Sequence, residues 1–328
     1  MIRKMKKEAM YKIFILGVAL ALSAMSYAQG NPYASGKTGG FLKHMDLGIT
    51  LGSTGIGVDV SSPINDVLRL RTGFSFMPSW SQEMTFGIQV GDDPSTSDSK
   101  FEKLRGFLEN FTGRSVDNKI DMIGRPMYYN FKLLLDVYPL RNKHWRVTAG
   151  FFLGNERIAR AYNTTEDMSS LLAVCMYNNM YEKLESGEPF LLYDNTYLDP
   201  EVQDALWQKF EAYGRMGVPM GVREDGTTYY MEPDDDSMAK ANMYANAFKP
   251  YVGLGYEGPL SKKNDKYTIG VDCGVMFWGG VPSVKTHDGT DLVYDVKDVP
   301  GKVGRYVDIV NGFKVFPVVE LKIARKLF

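Results

Sequence analysis

The chain has 328 residues, 44% of them hydrophobic and 23% charged, with 38 Lys and Arg against 39 Asp and Glu for a formal net charge of −1. These values exclude a disordered or collagen-like chain, and the near-neutral charge provides no basic field for nucleic acid. A mean hydropathy of −0.23 excludes a bundle of membrane-spanning helices, each of which needs ~20 nearly uninterrupted apolar residues. What stands out is 33 glycines and 13% aromatic residues.

Arg3, Lys4, Lys6, Lys7 and Lys12 form a basic start, Ile13 to Met25 is apolar, and Ser26-Tyr27-Ala28 places small residues before Gln29. This is the pattern of a secretory signal over residues 1–28, cut between Ala28 and Gln29. The apolar run is too short to anchor the chain as a helix. Losing residues 1–28 removes five bases and one acid, so the mature chain carries −5.

Strict period-2 alternation begins after a short segment, 29–42. Met45, Leu47, Ile49 and Leu51 predict a first strand, Ile56, Val58 and Val60 a second, and Leu68, Leu70, Thr72, Phe74 and Phe76 a third. A long connection, 78–124, follows; Phe101, Leu104, Leu108 and Phe111 recur at helical spacing over Ser99–Phe111, and Gly113 stops the helix. Met127, Tyr129, Phe131, Leu133, Leu135 and Val137 mark the fourth strand, and Trp145, Val147, Ala149, Phe151 and Leu153 the fifth. The connection 155–246 is predicted to hold two helices: Glu166–Ser186 with Thr165 as N-cap, and one opened by Asp199-Pro200 and ended by Gly214 with Val202, Leu206 and Phe210 on its apolar face. Asp225-Gly226 favours a hairpin turn. Val252, Leu254 and Tyr256 give strand six; Tyr267, Ile269, Val271, Cys273, Val275 and Phe277 give strand seven. The connection 280–312 contains a short helix over Gly304–Asn311, and Val315, Val319, Leu321 and Ile323 form strand eight before Phe328.

These eight segments predict an all-β membrane barrel of eight antiparallel strands in an up-and-down meander, spanning 43–328, with helical insertions in its long loops. Short and long connections alternate, as they do in membrane barrels and not in a soluble sandwich, with one departure, the tight first loop Gly52-Ser53-Thr54-Gly55.

The two faces of the strands differ. The polar face carries Asp46, Asp59, Asp136, Asp272 and Glu320 against Arg69, Arg71, Lys132, Arg146 and Lys322. Because an unpaired charge in a low-dielectric interior is costly, this balance predicts a plugged, salt-bridged lumen in place of an open pore. Gly48, Gly57, Gly73, Gly150, Gly253, Gly255, Gly270 and Gly274 share that face, where a narrow barrel needs small residues. Phe76, Tyr129, Trp145, Tyr256, Tyr267 and Phe277 stand on the other face near strand ends, as in aromatic girdles.

Signal, alternating strands and terminal Phe328 together resemble the small outer-membrane β-barrel proteins of Gram-negative bacteria, and the Ala28–Gln29 junction resembles export signals of Bacteroidota. The resemblance implies an outer-membrane location with termini and segment 29–42 periplasmic and long loops extracellular. It also implies outer-membrane lipids as neighbours and recognition of the C-terminal strand, ending on Phe328, by the barrel-assembly machinery. Members of such families are structural barrels, adhesins, assembly factors and, rarely, lipid-modifying enzymes, so fold alone does not select a role.

Signals for chemistry are weak. His44 and His144 fall at the end with short turns, and His287 stands beside Asp288 in the last long loop without a nucleophile linked to it by sequence. Asp234-Asp235-Asp236 lacks the spacing of a calcium loop and reads as a solvated acidic turn. Cys175 and Cys273 are too few for a disulfide scaffold, though a single bridge between them is open. The sequence therefore predicts no catalytic residue, cofactor or metal. The leading expectation is a non-enzymatic surface or structural barrel binding an unknown extracellular ligand through a loop cap; the alternative is a secretion or envelope-assembly component.

Overall fold

Alternation of apolar and polar residues places each strand's two faces in different surroundings, and eight such strands close on themselves in the computed structural model. They are β1 (Asp46–Gly52), β2 (Gly55–Pro63), β3 (Leu68–Phe76), β4 (Tyr129–Val137), β5 (Trp145–Gly154), β6 (Phe248–Ser261), β7 (Asn264–Phe277) and β8 (Val315–Lys326). The structure describes residues 44–140, 143–194, 196–261, 264–300, 304–305, 307–308, 312 and 315–327. The expected signal, its Ala28–Gln29 junction and Phe328 lie outside the described residues.

Every barrel strand pairs antiparallel with its neighbours in sequence, and β1 pairs with β8 from Asp46 opposite Lys326 to Gly52 opposite Glu320. Closure leaves the barrel without an exposed edge. The meander expected from the alternation is the observed topology. No helix among the described residues is long and apolar enough to cross a membrane.

The outer wall is apolar. Leu47, Ile49, Leu51, Val58, Val147, Leu254, Val271, Val319, Leu321 and Ile323 are all exposed, Ile49 by 63%. Aromatic rings bound this band. At the end with short turns, Trp145 packs edge-on against Tyr256, and Arg325 lies over Tyr267. At the other end stand Phe76, Phe277 and the Phe151–Phe248 pair.

The three long connections leave the same end of the barrel and fold together. The segment between β3 and β4 holds helix α1 (Pro94–Thr112); the one between β5 and β6 holds α2 (Met168–Glu185) and α3 (Pro200–Tyr213). Asp93 caps α1 through the Ser95 N–H, and Gly113, at φ 67°, ends it. Asp199 caps α3 ahead of Pro200 by accepting from Glu201 N, and Gly214, at φ 80°, ends it. For α2 the N-cap is Asp167, not Thr165, and its side chain bonds Thr164 instead of the helix start. Phe111 and Val202, placed on apolar helix faces by their spacing, are exposed because each helix buries a narrower stripe: Phe101 and Leu108 in α1, Phe210 in α3. Of the short helix expected over Gly304–Asn311, residues 304, 305, 307 and 308 are helical, and Tyr306, Ile309 and Val310 lie outside the described residues.

The connections also contain sheet, of which the sequence foretold only the hairpin at Asp225-Gly226. A five-stranded sheet runs in the spatial order Ser283–Thr286, Lys240–Tyr244, Arg157–Asn163, Lys119–Pro126, Gln82–Gly87, taking strands from all three long connections. A second sheet centres on Met216–Arg223, paired with Thr228–Met231 across the Asp225-Gly226 turn and with Val296–Lys297. Between these elements lies a core that includes Phe101, Leu108, Leu171, Tyr177, Met216, Tyr229 and Leu292. No one connection supplies this core, so the cap folds as a unit. The two cysteines are unbonded: Cys175 sits on α2 in the cap and Cys273 on the outer face of β7.

Candidate functional site

The inward-pointing charges form one network across the lower half of the lumen. Arg71, fully buried, contacts Asp272 at 2.7 Å, Asp136 at 3.0 Å and Asp59 at 3.8 Å. Lys132 bridges Asp59 and Glu320, each at 2.9 Å. Arg146 meets Asp272 at 2.8 Å, Glu257 at 2.6 Å and Asp136 at 3.9 Å. At the rim, Arg69 reaches Glu257 at 2.9 Å and Asp46 at 3.5 Å. Lys322 is buried in the same layer, with no carboxylate in ion-pair contact among the described residues. Hydroxyls complete the network: Thr148 donates to Asp136 at 2.7 Å, Tyr138 donates to Glu257 at 2.8 Å, and Thr54 donates to Glu320.

Two buried inward charges escaped the sequence reading, and one of them, Glu257, belongs to the network. Glu257 continues the inward parity of Gly253 and Gly255 one step past Tyr256, where the predicted strand was ended too early. Lys249 precedes Tyr251 on the same face and is fully buried near Asn130, with its ammonium 5.4 Å from the Tyr128 ring. Extending the parity in both directions would have found both, one acid and one base.

Glycine makes this network fit. A Cβ at Gly73 would lie 2.3 Å from Asp59 Oδ1, and one at Gly255 would lie 2.6 Å from both Arg146 Nε and Asp272 Oδ1. Side chains there would displace the buried ions from each other.

Above the charged layer the lumen is filled by rings and apolar chains. Phe152 meets Tyr251 edge-on at 5.4 Å, Tyr128 donates to Met276 Sδ at 3.1 Å, and Trp278 packs on Phe316 at 5.2 Å, with Val318 buried among them; Leu134 joins the cluster from lower down, between Lys132 and Asp136 on β4. This stopper joins the barrel to the cap: Ile158, Met243 and Ala245 from the cap pack into it.

The cap's polar groups hold its parts together. Arg215 bonds Glu232 through two nitrogens and Glu182 through one, all at 2.9 Å, and these bonds raise its pKa above the ordinary guanidinium value. Tyr229 donates to Asp288 at 2.8 Å, which also accepts from Thr286 Oγ1 and Thr290 N. Burial pushes the Tyr229 hydroxyl up to about 12. Partial burial opposes ionisation of Asp288, but its hydrogen bonds from Thr286, Thr290 and Tyr229 prevail and hold the carboxyl below its ordinary range. His287 stands next to this group without joining it; its Nδ1 is buried with no partner among the described residues. Asp234 caps its own turn by accepting from Met238 N at 2.8 Å and pairs with Lys240, a cation where a calcium ion would need open carboxylate oxygens.

No protein-family model and no curated protein matches the chain. Among solved structures, CarO2 of Acinetobacter baumannii is 14% identical, covering 86% of this chain and 98% of that one, with a TM-score of 0.35. CarO of the same organism is 13% identical over 86% of this chain and 96% of its own, also at 0.35. A major outer membrane protein of Thermus thermophilus is 12% identical over 87% of this chain and 99% of its own, at 0.28.

Proposed function

We propose that the chain is an outer-membrane barrel whose closed lumen serves as a rigid stem and whose loop-built cap is presented outside the cell to bind an extracellular partner. One observation carries this reading. A continuous apolar wall, bounded by aromatic rings, surrounds a lumen packed with paired ions. A water-soluble protein places these two surfaces the other way round, whereas a bilayer favours this arrangement. Even strand number supports placing both chain termini on the periplasmic side and the cap outside. The expected signal over 1–28 supports export, and the Ala28–Gln29 junction supports a Bacteroidota source.

The interior favours a structural role over transport or catalysis. Its carboxylates are paired with Arg69, Arg71, Lys132 and Arg146, and apolar and aromatic side chains fill the lumen toward the cap. The cap's helices and sheets share a core, which fits a binding surface of fixed shape.

The test is fractionation of cells expressing the whole chain, followed by electrophoresis with and without boiling. Expected is recovery in the outer membrane, faster migration before boiling, and cleavage by external protease confined to the cap. Recovery in a soluble fraction, or a cap protected in intact cells and cut only after the outer membrane is opened, overturns the reading.

A further inference from the structure

At the loop-bearing end of the barrel, a cleft of about 300 Å³ lies between β3, β4 and the five-stranded sheet. Its lower wall is Phe76 and Tyr129, opposite each other at the ends of β3 and β4. Its upper wall is Arg125 and Arg160, directly opposite each other on adjacent cap strands. Two like charges so placed repel. Neither guanidinium has a carboxylate in ion-pair contact among the described residues, although such pairs fill the lumen below. Both lie near the Tyr162 ring, at 5.7 and 5.1 Å, and Arg125 Nε is oriented by a 3.0 Å bond to Ser81 Oγ. The same row of the sheet continues through Asn242 to Lys285. Trp80, beside Ser79 of the cleft, is exposed.

We infer that this cleft binds the phosphate of a membrane lipid headgroup, with Arg125 and Arg160 as its ligands. The inference rests on the outer-membrane reading. Paired guanidiniums match phosphate oxygens in geometry and charge better than any single base does. A phosphate between them removes the repulsion that no carboxylate relieves. The height of the cleft selects a lipid: its floor is the aromatic belt, where headgroups meet the hydrocarbon, so acyl chains would run down the wall beside Phe76. Tyr162 and Ser81 hold the guanidiniums in place before the lipid arrives.

The experiment uses the full chain in nanodiscs, titrated with a bis-phosphorylated glycolipid, the same lipid after phosphatase treatment, and inorganic phosphate, read by native mass spectrometry and Trp fluorescence. Expected is at least roughly tenfold tighter binding of the phosphorylated lipid. R125Q/R160Q should lose that preference while keeping faster migration of the unboiled barrel, and R125K/R160K should restore it in part. Equal binding of the two lipids by the wild type, or an unchanged preference in R125Q/R160Q, overturns the inference. Inorganic phosphate binding as tightly as the lipid assigns the cleft to free phosphate and overturns the lipid. A chain absent from membranes defeats the outer-membrane reading itself; a membrane-embedded chain with no phosphate preference defeats only the cleft.

Discussion

Arg71 and Asp272, 201 residues apart in the chain, meet at 2.7 Å across the closed lumen. The contact ties β3 to β7, strands on different sides of the barrel that share no hydrogen-bonded edge. Asp136 and Asp59 lean on the same guanidinium from β4 and β2. Buried pairs of this kind gain little over a well-packed apolar core, but removing one partner strands the others.

Arg71→Met should therefore destabilise the barrel by about 3–5 kcal/mol, because Asp272, Asp136 and Asp59 would lose their shared cation. Urea titration of the unboiled, fast-migrating form measures this. A midpoint within error of wild type contradicts the network's role as a structural tie.

The filled lumen should not conduct. Wild-type protein in planar bilayers is expected to show no large stable channel currents, because the charged layer and the Phe152–Tyr251 stopper are stacked in series. Phe152→Ala opens only one of them and should remain closed. Steady ohmic conductance in either protein shows that the lumen admits water and ions.

Phe101→Ala should unfold the cap and spare the barrel. Phe101 is fully buried in a core drawn from all three long connections, and truncation of such a ring costs about 3–5 kcal/mol. Limited proteolysis should then cut α2 and α3 rapidly while the eight strands persist as protected, associated fragments on either side of the cuts. Simultaneous loss of both would mean that barrel and cap form one cooperative unit.

The Tyr229–Asp288 latch should weaken in acid. The carboxyl of Asp288 is held below its unfolded value of 3.8, so its contribution is present above that pH and is lost as pH falls through the lower folded value. The group is partly exposed and screened, so the effect is local. Protection of the Thr286–Thr290 amides, measured against the intrinsic exchange rate at each pH, should fall below the unfolded value in the wild type, and Asp288→Asn should show the lower protection already at neutral pH. Protection independent of pH in the wild type removes the latch.

How much the sequence revealed depends on the range of each interaction. Period-2 alternation is local, so β4 could be read from Tyr129 to Val137 without its partners, and Asp199-Pro200 with Gly214 marked α3 by caps that act within a turn. The cap sheets gave weaker signals. Arg157–Asn163 alternates through small Ala159 and Ala161, and its neighbours lie in the preceding long connection and at the far end of its own, so no short window of sequence contains the pairing. Glu257 was missed for a simpler reason: it follows the last apolar residue of its alternating run, although parity still points it inward.

By itself, the sequence determined the barrel: strand number, the faces, and a nearly balanced set of inward charges, since each unpaired buried ion costs several kcal/mol. Only the tertiary structure decided which ions pair, that rings seal the lumen above them, and that three distant connections share one core. It also decided that Arg125 and Arg160 stand opposite each other above the aromatic belt. Those relationships join residues far apart in the chain, and their energies depend on closure of the barrel, which alternation foretells but does not itself arrange.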